Sequence, residues 1–296
     1  MSSENEILAL IQLLDDPDSQ VFQSVNQNLL SQGSEVIPIL EKAWEASGDE
    51  FLQNRIENLI HEIHIESVIK ELVLWKSSGA THLIDGAYLI AKLQYPDIRL
   101  EHIRSELDKI VKSVWLELNQ NLTALEKIRI LNHIFYEVLS FSGNQKNYYD
   151  PQNNFINSVL ASKKGNPISL SIIYSIVAQK LELPVYGVNL PKNFILAYMD
   201  KDPSKPNSIL KSVSSVLFYI NPFRNGIVLN RTDIEKFVKG LNITPEPAFF
   251  KPCSNIHIIQ RLISNLVFAF EKLGQIEKAD MYKQVLKIVS EEDEEG

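Results

Sequence analysis

The first 140 residues alternate apolar and polar positions at helical spacing. Five apolar side chains near the start recur at helical spacing: Ile7, Leu8, Leu10, Ile11 and Leu14. The acidic, proline-containing run at 15–18 ends that helix, and Asp18 or Ser19 is placed to cap the next one. Further helices are predicted at 51–75, 82–94, 100–116 and 122–140. The pattern therefore predicts a helical N-terminal region, residues 1–140.

Within this region, residues 13–44 resemble a HEAT-type helical hairpin. Gly33 and Ser34 separate its two short helices. Helices of this length cannot bury their apolar faces alone, so we expect them to stack on neighbouring helices. Because no second copy of the unit is evident, we predict a HEAT-like region and not a repeat array.

The composition changes at residues 142–154, where Asn, Gln and Tyr dominate. Gly143 and Pro151 add the residues typical of loops, and loops of this length often carry function. Tyr148 and Tyr149 are candidates to line a groove, because aromatic and amide side chains suit adaptable polar recognition. The structural alternative is a loop whose Asn side chains make turns with their own backbone. The sequence leaves both interpretations open.

Residues 155–230 change from helical to strand-like spacing. A predicted helix, Pro167–Leu181, is followed by three runs rich in Val, Ile, Tyr and Phe, which read VYGVNL, NFILAYM and SVLFYI. Residues 200–207, with two prolines, form a predicted loop before the third run. Asn225-Gly226 suits a tight turn into a fourth strand at 227–229.

The chain returns to helices after Thr232. Thr232–Glu235 reads as a capping box, and three prolines then mark an irregular connector. Two helices at 255–273 and 276–289, joined at Gly274, resemble a tetratricopeptide-type hairpin, and an acidic tail, Glu291–Glu295, follows. We predict a mainly α fold with a small α+β core in three regions, 1–140, 141–245 and 246–296.

Composition and charge narrow the function classes. The 296-residue chain is 45% hydrophobic, enough for a sizeable core, and its net charge of -8 argues against nucleic acid as the main partner. The single cysteine, Cys253, excludes an intrachain disulfide and fits a reducing compartment. The N-terminus lacks the features of a secretion signal, and the apolar stretches are too short to span a bilayer. We expect a cytoplasmic protein.

One long stretch is specific enough to indicate a family. It runs KKGNPISLSIIYSIVAQKLELPVYGVNLPKNFILAY from Lys163 and is followed by FYINPF, and QRLISNLVFAFEKLGQIEKA occurs later. This ordered set resembles the SirB-type transglutaminase-like proteins that carry a tetratricopeptide-like tail. F-box-associated relatives share the core. The resemblance covers roughly residues 30–290 and is weaker over its first hundred residues.

The resemblance implies three catalytic positions on a helix packed against an antiparallel sheet. A Cys begins the helix, a His follows on the next strand, and an Asp lies on the strand after that. In this chain those positions hold Pro167, Asn193 and Asn221. Proline has no nucleophilic atom, and an amide cannot accept a proton near neutral pH. We therefore expect no enzymatic activity.

The alternative is a divergent hydrolase or acyl transferase using Ser169, Ser171 or Cys253. None of the six histidines lies between residues 134 and 256, so a base would have to come from a helical flank or from Lys192. Cys253 and His257 are four residues apart, which could form a dyad with an acidic thiol. The structural alternative for that pair is a small connector residue beside a helix-face histidine.

The favoured hypothesis is a scaffold or regulator whose vacated groove binds a protein or peptide. The groove candidates are Asn166, Ser169, Ser171, Lys192, Phe194, Tyr148, Tyr149 and Phe223. Arg261 and Asn265 share a helix face, and we interpret them as a structural brace between the tail and the sheet. His61 and His64 lie three residues apart, whereas the two histidines of the zinc-protease helix motif lie four residues apart. We expect no metal, no cofactor, no nucleic acid partner and no membrane association.

Overall fold

The computed structural model describes residues 4–200 and 216–291. The predicted loop at 200–207, beyond Asp200, and the acidic tail beyond Glu291 lie outside the described residues. The chain divides into two compact units, Met1–Leu74 and Trp75–Gly296. The second unit holds the end of the first region proposed from the sequence and the whole of the other two, and that three-region division stays a prediction.

The first unit is built from four helices. They are α1 (Glu4–Gln12), α2 (Ser19–Ser31), α3 (Ile37–Ala46) and most of α4 (Glu50–Ser77). Asp18 caps α2 as predicted, since its Oδ1 accepts a hydrogen bond from the Gln20 amide at 2.8 Å. Leu14, Leu29 and Leu40 are fully buried in the core between these helices.

The second unit contains the remaining helices and all the described strands. The helices are α5 (Leu83–Lys92), α6 (Leu100–Trp115), α7 (Ala124–Asn132), α8 (Ile156–Ser162), α9 (Pro167–Lys180), α10 (Arg231–Gly240), α11 (Asn255–Lys272) and α12 (Ile276–Ser290). The strands are β1 (Ser142–Gly143), β2 (Lys164–Gly165), β3 (Val185–Leu190), β4 (Asn193–Met199), β5 (Val216–Asn221) and β6 (Ile227–Leu229). The fold is mainly α with a small α+β core, as the sequence predicted.

The four longer strands form one antiparallel sheet in the order β3-β4-β5-β6. Val188 pairs with Ile195 and Leu196 with Ile220, which places apolar side chains in register across the sheet. The turn into β6 contains Asn225 and Gly226, both at positive φ, as the Asn-Gly pair predicted. The short strands β1 and β2 pair in parallel and anchor the two ends of segment 143–165.

Helix α9 is the central element of the second unit. Every residue from Pro167 to Ala178 is buried, and the helix packs on β3 and β4 and on α5, α6 and α8. A helix that is apolar on all sides can be covered only by several neighbours, which is why it lies between the sheet and the helices. Its N-terminus is therefore held in a fixed position.

Two sequence predictions about helix ends need correction. The helix predicted at 122–140 is α-helical only over Ala124–Asn132 and continues as a π-helical turn, His133–Val138. The capping box predicted at Thr232–Glu235 is wrong. Asn230 caps α10, and its Oδ1 accepts from the Asp233 amide at 3.0 Å, because the helix begins one residue before Thr232.

None of the helices that the structure describes combines the length and the apolar content needed to cross a bilayer. The two C-terminal helices, α11 and α12, pack closely against each other, with the rings of Phe270 and Tyr282 stacked at 5.5 Å. Gly274, at positive φ, lies in the connection between them. The similarity of this pair to a tetratricopeptide hairpin stays a prediction.

Candidate functional site

The start of α9 is closed by its own cap. Asn166 Oδ1 accepts from the Ser169 amide at 3.0 Å, and Ser169 Oγ accepts from the Asn166 amide at 3.0 Å. Pro167 occupies the first turn, where a missing amide hydrogen costs nothing. All three residues are buried. The first turn of this helix therefore offers an amide cap and a proline ring, but no thiol.

The two serines of α9 are used by the local backbone. Ser169 Oγ also approaches the carbonyl of Asn166 at 3.3 Å, and Ser171 Oγ donates to the carbonyl of Pro167 at 2.6 Å. Each hydroxyl therefore has a backbone acceptor within its own turn. Among the described residues neither hydroxyl has a hydrogen bond to a histidine, a lysine or a carboxylate, which a serine nucleophile needs for activation.

The Asn-rich loop, residues 142–154, is organised by its own amide side chains. Asn153 Nδ2 donates to the carbonyls of Asn147 and Tyr148 at 2.6 and 3.1 Å, and its Oδ1 accepts from Asn144 Nδ2 at 2.8 Å. Asn154 Oδ1 accepts from Asn166 Nδ2 at 2.6 Å and ties the loop to the cap of α9. The turn-forming role and the groove-lining role proposed for this loop thus coexist in one segment.

A cavity of about 530 Å³ lies where this loop meets α9, the β3–β4 turn and α11. We call it the aromatic–cationic cavity. Its lining residues are Tyr148, Tyr149, Asn154, Asn166, Lys192, Arg261, Asn265, Phe268 and Ala269. The α11 residues recur at helical spacing and present one face of that helix to the cavity. The volume is in the range of ligand-binding pockets.

One wall of the cavity is aromatic. The rings of Tyr148 and Tyr149 meet edge to face at 5.1 Å, and the ring of Tyr149 lies 5.5 Å from that of Phe268. Lys272 Nζ lies 3.4 Å from the centroid of the Tyr149 ring, a cation–π contact that supports the wall from α11. Burial raises the pKa of the Tyr148 hydroxyl, so this phenol stays neutral and serves as a hydrogen-bonding group.

The lining of the cavity also includes two cationic side chains. Arg261 Nη1 donates to Asn189 Oδ1 at 3.1 Å and to the carbonyl of Leu190 at 3.4 Å, so it joins α11 to β3. Burial lowers the pKa of this guanidinium, because its neighbours in the structure are neutral groups and desolvation is the largest cause. Lys192, at φ 56° in the β3–β4 turn, supplies a second cation. None of the described residues that line the cavity is Asp or Glu.

Two of the three presumed catalytic positions lie around a different cavity. Asn193 and Asn221 line a space of about 150 Å³ together with Arg224 and Asp233. Asn193 Oδ1 accepts from the Phe194 amide at 2.9 Å, whereas Asn221 Oδ1 is buried without a hydrogen-bond partner among the described residues. Pro167 does not line this space. Neither amide can act as a base or as a carboxylate that orients one.

The Cys253 and His257 pair does not form a dyad. Burial raises the pKa of the Cys253 thiol to about 12, which argues against the alternative of an acidic thiol and fits the favoured interpretation of a connector residue. The ring of His257 instead bonds Ser254, with Nδ1 and Oγ 2.7 Å apart, while Ser254 caps α11. Both residues of this Ser–His contact are exposed, and neither lines the two cavities described here.

The structure therefore divides the residues selected from the sequence into two sets. Six line the aromatic–cationic cavity: Tyr148, Tyr149, Asn166, Lys192, Arg261 and Asn265. Four do not, because Ser169, Ser171 and Phe194 are packed in the interior and Phe223 packs against Gly143. Asn154, which belongs to the Asn-rich loop considered from the sequence as a groove wall, also lines it, whereas sequence reasoning missed Phe268 and Ala269. The α11 residues could have been found from the helical spacing that follows Arg261 and Asn265.

No metal site is formed by the residues that the structure describes. No group of three or more His, Cys, Asp or Glu side chains there is placed to hold an ion. His61 is exposed on α4, and His64, three residues later, is only partly buried. The two histidines therefore lack the further ligands that a zinc site needs.

Comparison with known proteins gives consistent results. A family model described as transglutaminase-like superfamily matches residues 101–264. A UPF0162 protein of Xylella fastidiosa (strain 9a5c) is 26% identical over 246 residues, covering 75% of this chain and 79% of that protein. Protein SirB1 of Salmonella typhimurium is 26% identical over 215 residues, covering 71% and 75%.

A longer human protein shares part of the sequence. F-box only protein 21 of Homo sapiens is 26% identical over 226 residues, which cover 69% of this chain but 34% of the human protein. The match therefore concerns a region of that protein. No solved structure gives a significant match.

Proposed function

The chain belongs to the transglutaminase-like superfamily, and we propose that it is a non-catalytic member that binds a peptide or protein segment. One observation carries the proposal. The aromatic–cationic cavity is lined by aromatic, amide and cationic side chains, and none of the described residues that line it carries a thiol, an imidazole or a hydroxyl activated by a base. Such a lining suits recognition more than bond cleavage.

The local chemistry around the cavity supports this proposal. Pro167 replaces a nucleophile, and the hydroxyls of Ser169 and Ser171 are hydrogen-bonded to backbone groups of their own helix. Cys253 is held as a neutral thiol by burial. A hydrolase of this fold would need a nucleophile and a base within about 3 Å of each other in the cavity.

The proposed occupant, a peptide or protein segment, follows from the chemistry of the lining side chains. Tyrosines and phenylalanine give contact area at a low cost in side-chain entropy, and amides satisfy the polar groups of a peptide backbone. The net charge of -8 disfavours nucleic acid, and the single cysteine fits a reducing compartment, so we assign the protein to the cytoplasm. F-box only protein 21 contains a related region within a longer chain, consistent with a modular role.

The test compares two neighbouring substitutions. Lys192→Ala removes a cation from the aromatic–cationic cavity, whereas Asn193→Ala alters the smaller cavity one residue away. Tagged wild-type and variant proteins are used to capture partners from an extract of the native cell, and bound proteins are quantified by mass spectrometry. We expect the K192A variant to lose a defined set of partners that the N193A variant retains.

Two results would contradict the proposal. Equal capture by all three proteins would show that the cavity does not bind the partners. Recovery of a cleaved or acylated form of a captured protein, dependent on Ser169 or Ser171, would show that the site is catalytic. Thermal unfolding of each variant serves as the control for folding.

A further inference from the structure

The charges that line the aromatic–cationic cavity are all of one sign. Arg261 and Lys192 are its ionisable cations, and among the described residues that line it there is no carboxylate. The chain as a whole carries a net charge of -8, so this positive lining is opposite to the average charge of the protein. A cavity of this kind concentrates anions and repels cations.

The guanidinium of Arg261 is held in place by two hydrogen bonds but keeps N–H donors that are available to a ligand. Both of its hydrogen bonds to the described residues start from Nη1, and the acceptors are the neutral side chain of Asn189 and the carbonyl of Leu190. A guanidinium has five N–H donors, so Nη2 and Nε keep donors. Burial lowers the pKa of Arg261, which means that the charge is desolvated without a compensating anion.

The N-terminus of α9 is not the source of this anion preference. In its first turn Pro167 has no amide hydrogen, and the Ser169 amide already donates to Asn166 Oδ1 at 3.0 Å. Anion binding by a helix end needs such amides to be open toward the ligand. Recognition therefore depends on the two cationic side chains and not on the helix dipole.

We propose that the aromatic–cationic cavity binds a carboxylate of a peptide, with Arg261 as the main partner and Lys192 as the second. The inference rests on the proposed peptide-binding function and names the group that is recognised. The planar fork of a guanidinium matches a carboxylate in two parallel hydrogen bonds. The rings of Tyr148, Tyr149 and Phe268 border the same cavity and receive the apolar side chain next to that carboxylate.

A carboxylate suits this cavity better than a phosphate. Phosphate groups on peptides are recognised by clusters of arginines, because a charge near -2 must be balanced on three oxygens. Here one arginine and one exposed lysine line the cavity. A single negative charge delocalised over two oxygens is the group that this pair can balance. Inorganic phosphate is therefore a competitor that the test includes.

The experiment uses three pools of acetylated pentapeptides incubated with the full chain. The first pool is randomised without Asp or Glu and has a free C-terminal carboxylate. The second is identical but amidated, and the third is amidated with glutamate at its centre. Bound peptides are quantified by mass spectrometry. We expect at least about tenfold more bound peptide from the free-acid pool or from the glutamate pool than from the second, amidated pool. The pool that binds shows whether the recognised carboxylate is the C-terminus or a side chain.

Three variants test which residues cause the difference in peptide binding between the pools. Arg261→Gln is expected to reduce the enrichment by about tenfold or more, as for a charged hydrogen bond with a buried partner. Lys192→Gln, at an exposed position, is expected to reduce it by about two- to fivefold. Lys236→Gln, on the exposed face of α10 and away from the cavity, is the matched control and leaves the enrichment unchanged.

The outcomes separate this inference from the function on which it rests. Equal binding of all three pools, weakened by Tyr149→Ala, would overturn carboxylate recognition and leave peptide binding intact. Loss of the free-acid enrichment at lower concentrations of inorganic phosphate than of acetate would also overturn it. Failure of every pool to bind would overturn both proposals. If Arg261→Gln unfolds the protein, Lys192→Gln in the exposed turn decides the question.

Discussion

Replacing Asn166 by alanine removes two interactions from the site at once. Its Oδ1 caps α9 at the Ser169 amide, and its Nδ2 satisfies Asn154 Oδ1 at 2.6 Å in the interior. Loss of a cap costs about 1 kcal/mol. Leaving a buried amide oxygen without a donor costs roughly 1–3 kcal/mol more. The free energy of unfolding of the second unit is therefore expected to fall by about 2–4 kcal/mol.

Two further variants separate these contributions. Asn166→Ser keeps a capping oxygen but loses the bond to Asn154, so its cost is expected to be roughly 1–3 kcal/mol. Asn230→Ala removes a cap of the same residue type from α10, with its own capping box, at an exposed position. There only the cap is lost, and the expected cost is about 1 kcal/mol.

The assay is equilibrium unfolding in urea, followed by tryptophan fluorescence. Trp44→Phe serves as the background, because Trp75 and Trp115 then report the second unit alone. For a unit of this size each kcal/mol corresponds to roughly 2–4 °C in Tm, which gives an independent thermal check. If Asn166→Ala costs no more than Asn230→Ala, the bond to Asn154 contributes nothing and the reasoning is refuted.

The turn into β6 and the thiol of Cys253 give two other predictions. Gly226→Ala is expected to lower the free energy of unfolding by about 3 kcal/mol, because a Cβ would meet Asn132 Oδ1 at 2.0 Å at a φ of 70°. Gly274→Ala, at the same φ with nothing within 4 Å, is the control and is expected to cost about 1 kcal/mol. Urea unfolding measures both, and equal costs would contradict the clash. Cys253, with a pKa of about 12 against an ordinary 9.0, is expected to react with iodoacetamide at pH 8 about a thousandfold more slowly than after unfolding. Because the folded thiol holds its proton to higher pH, stability relative to a Cys253→Ala variant falls as pH rises from 9 to 12, and a rise there would contradict the burial of the thiol.

Much of the second unit could be read from local patterns. The runs VYGVNL and NFILAYM coincide with β3 and β4, because β-branched and aromatic residues bounded by Pro184 and the Lys192 turn suit strands. The Asn225-Gly226 pair predicted the turn into β6, since both residues tolerate positive φ. Local conformational preference was sufficient in these segments.

The cavity could be predicted only in part. Its walls come from segments that are more than a hundred residues apart, such as Tyr148 and Phe268, and only the fold brings them together. Arg261 was interpreted as a brace, which its bonds to β3 fit, but its position on a cavity wall depends on how α11 packs. Sequence spacing fixes the face of a helix and not what lies opposite.

The adjacent residues Lys192 and Asn193 also show that sequence position alone does not tell which cavity a residue lines. The two residues are adjacent, yet Lys192 lines one cavity and Asn193 another. Lys192 lies at φ 56° in the β3–β4 turn, so the strand alternation of side chains begins only after it. Adjacent positions of a family motif can therefore belong to different sites.

The central proposal is that none of the described residues at the helix–sheet junction of this transglutaminase-like chain is able to attack a carbonyl. The most direct measurement treats the native protein with a fluorophosphonate and with iodoacetamide, followed by intact mass and peptide mapping. We predict no stoichiometric labelling of any serine and slow labelling of Cys253 at neutral pH. Rapid one-to-one labelling of Ser169 or Ser171 that disappears on denaturation would contradict the claim.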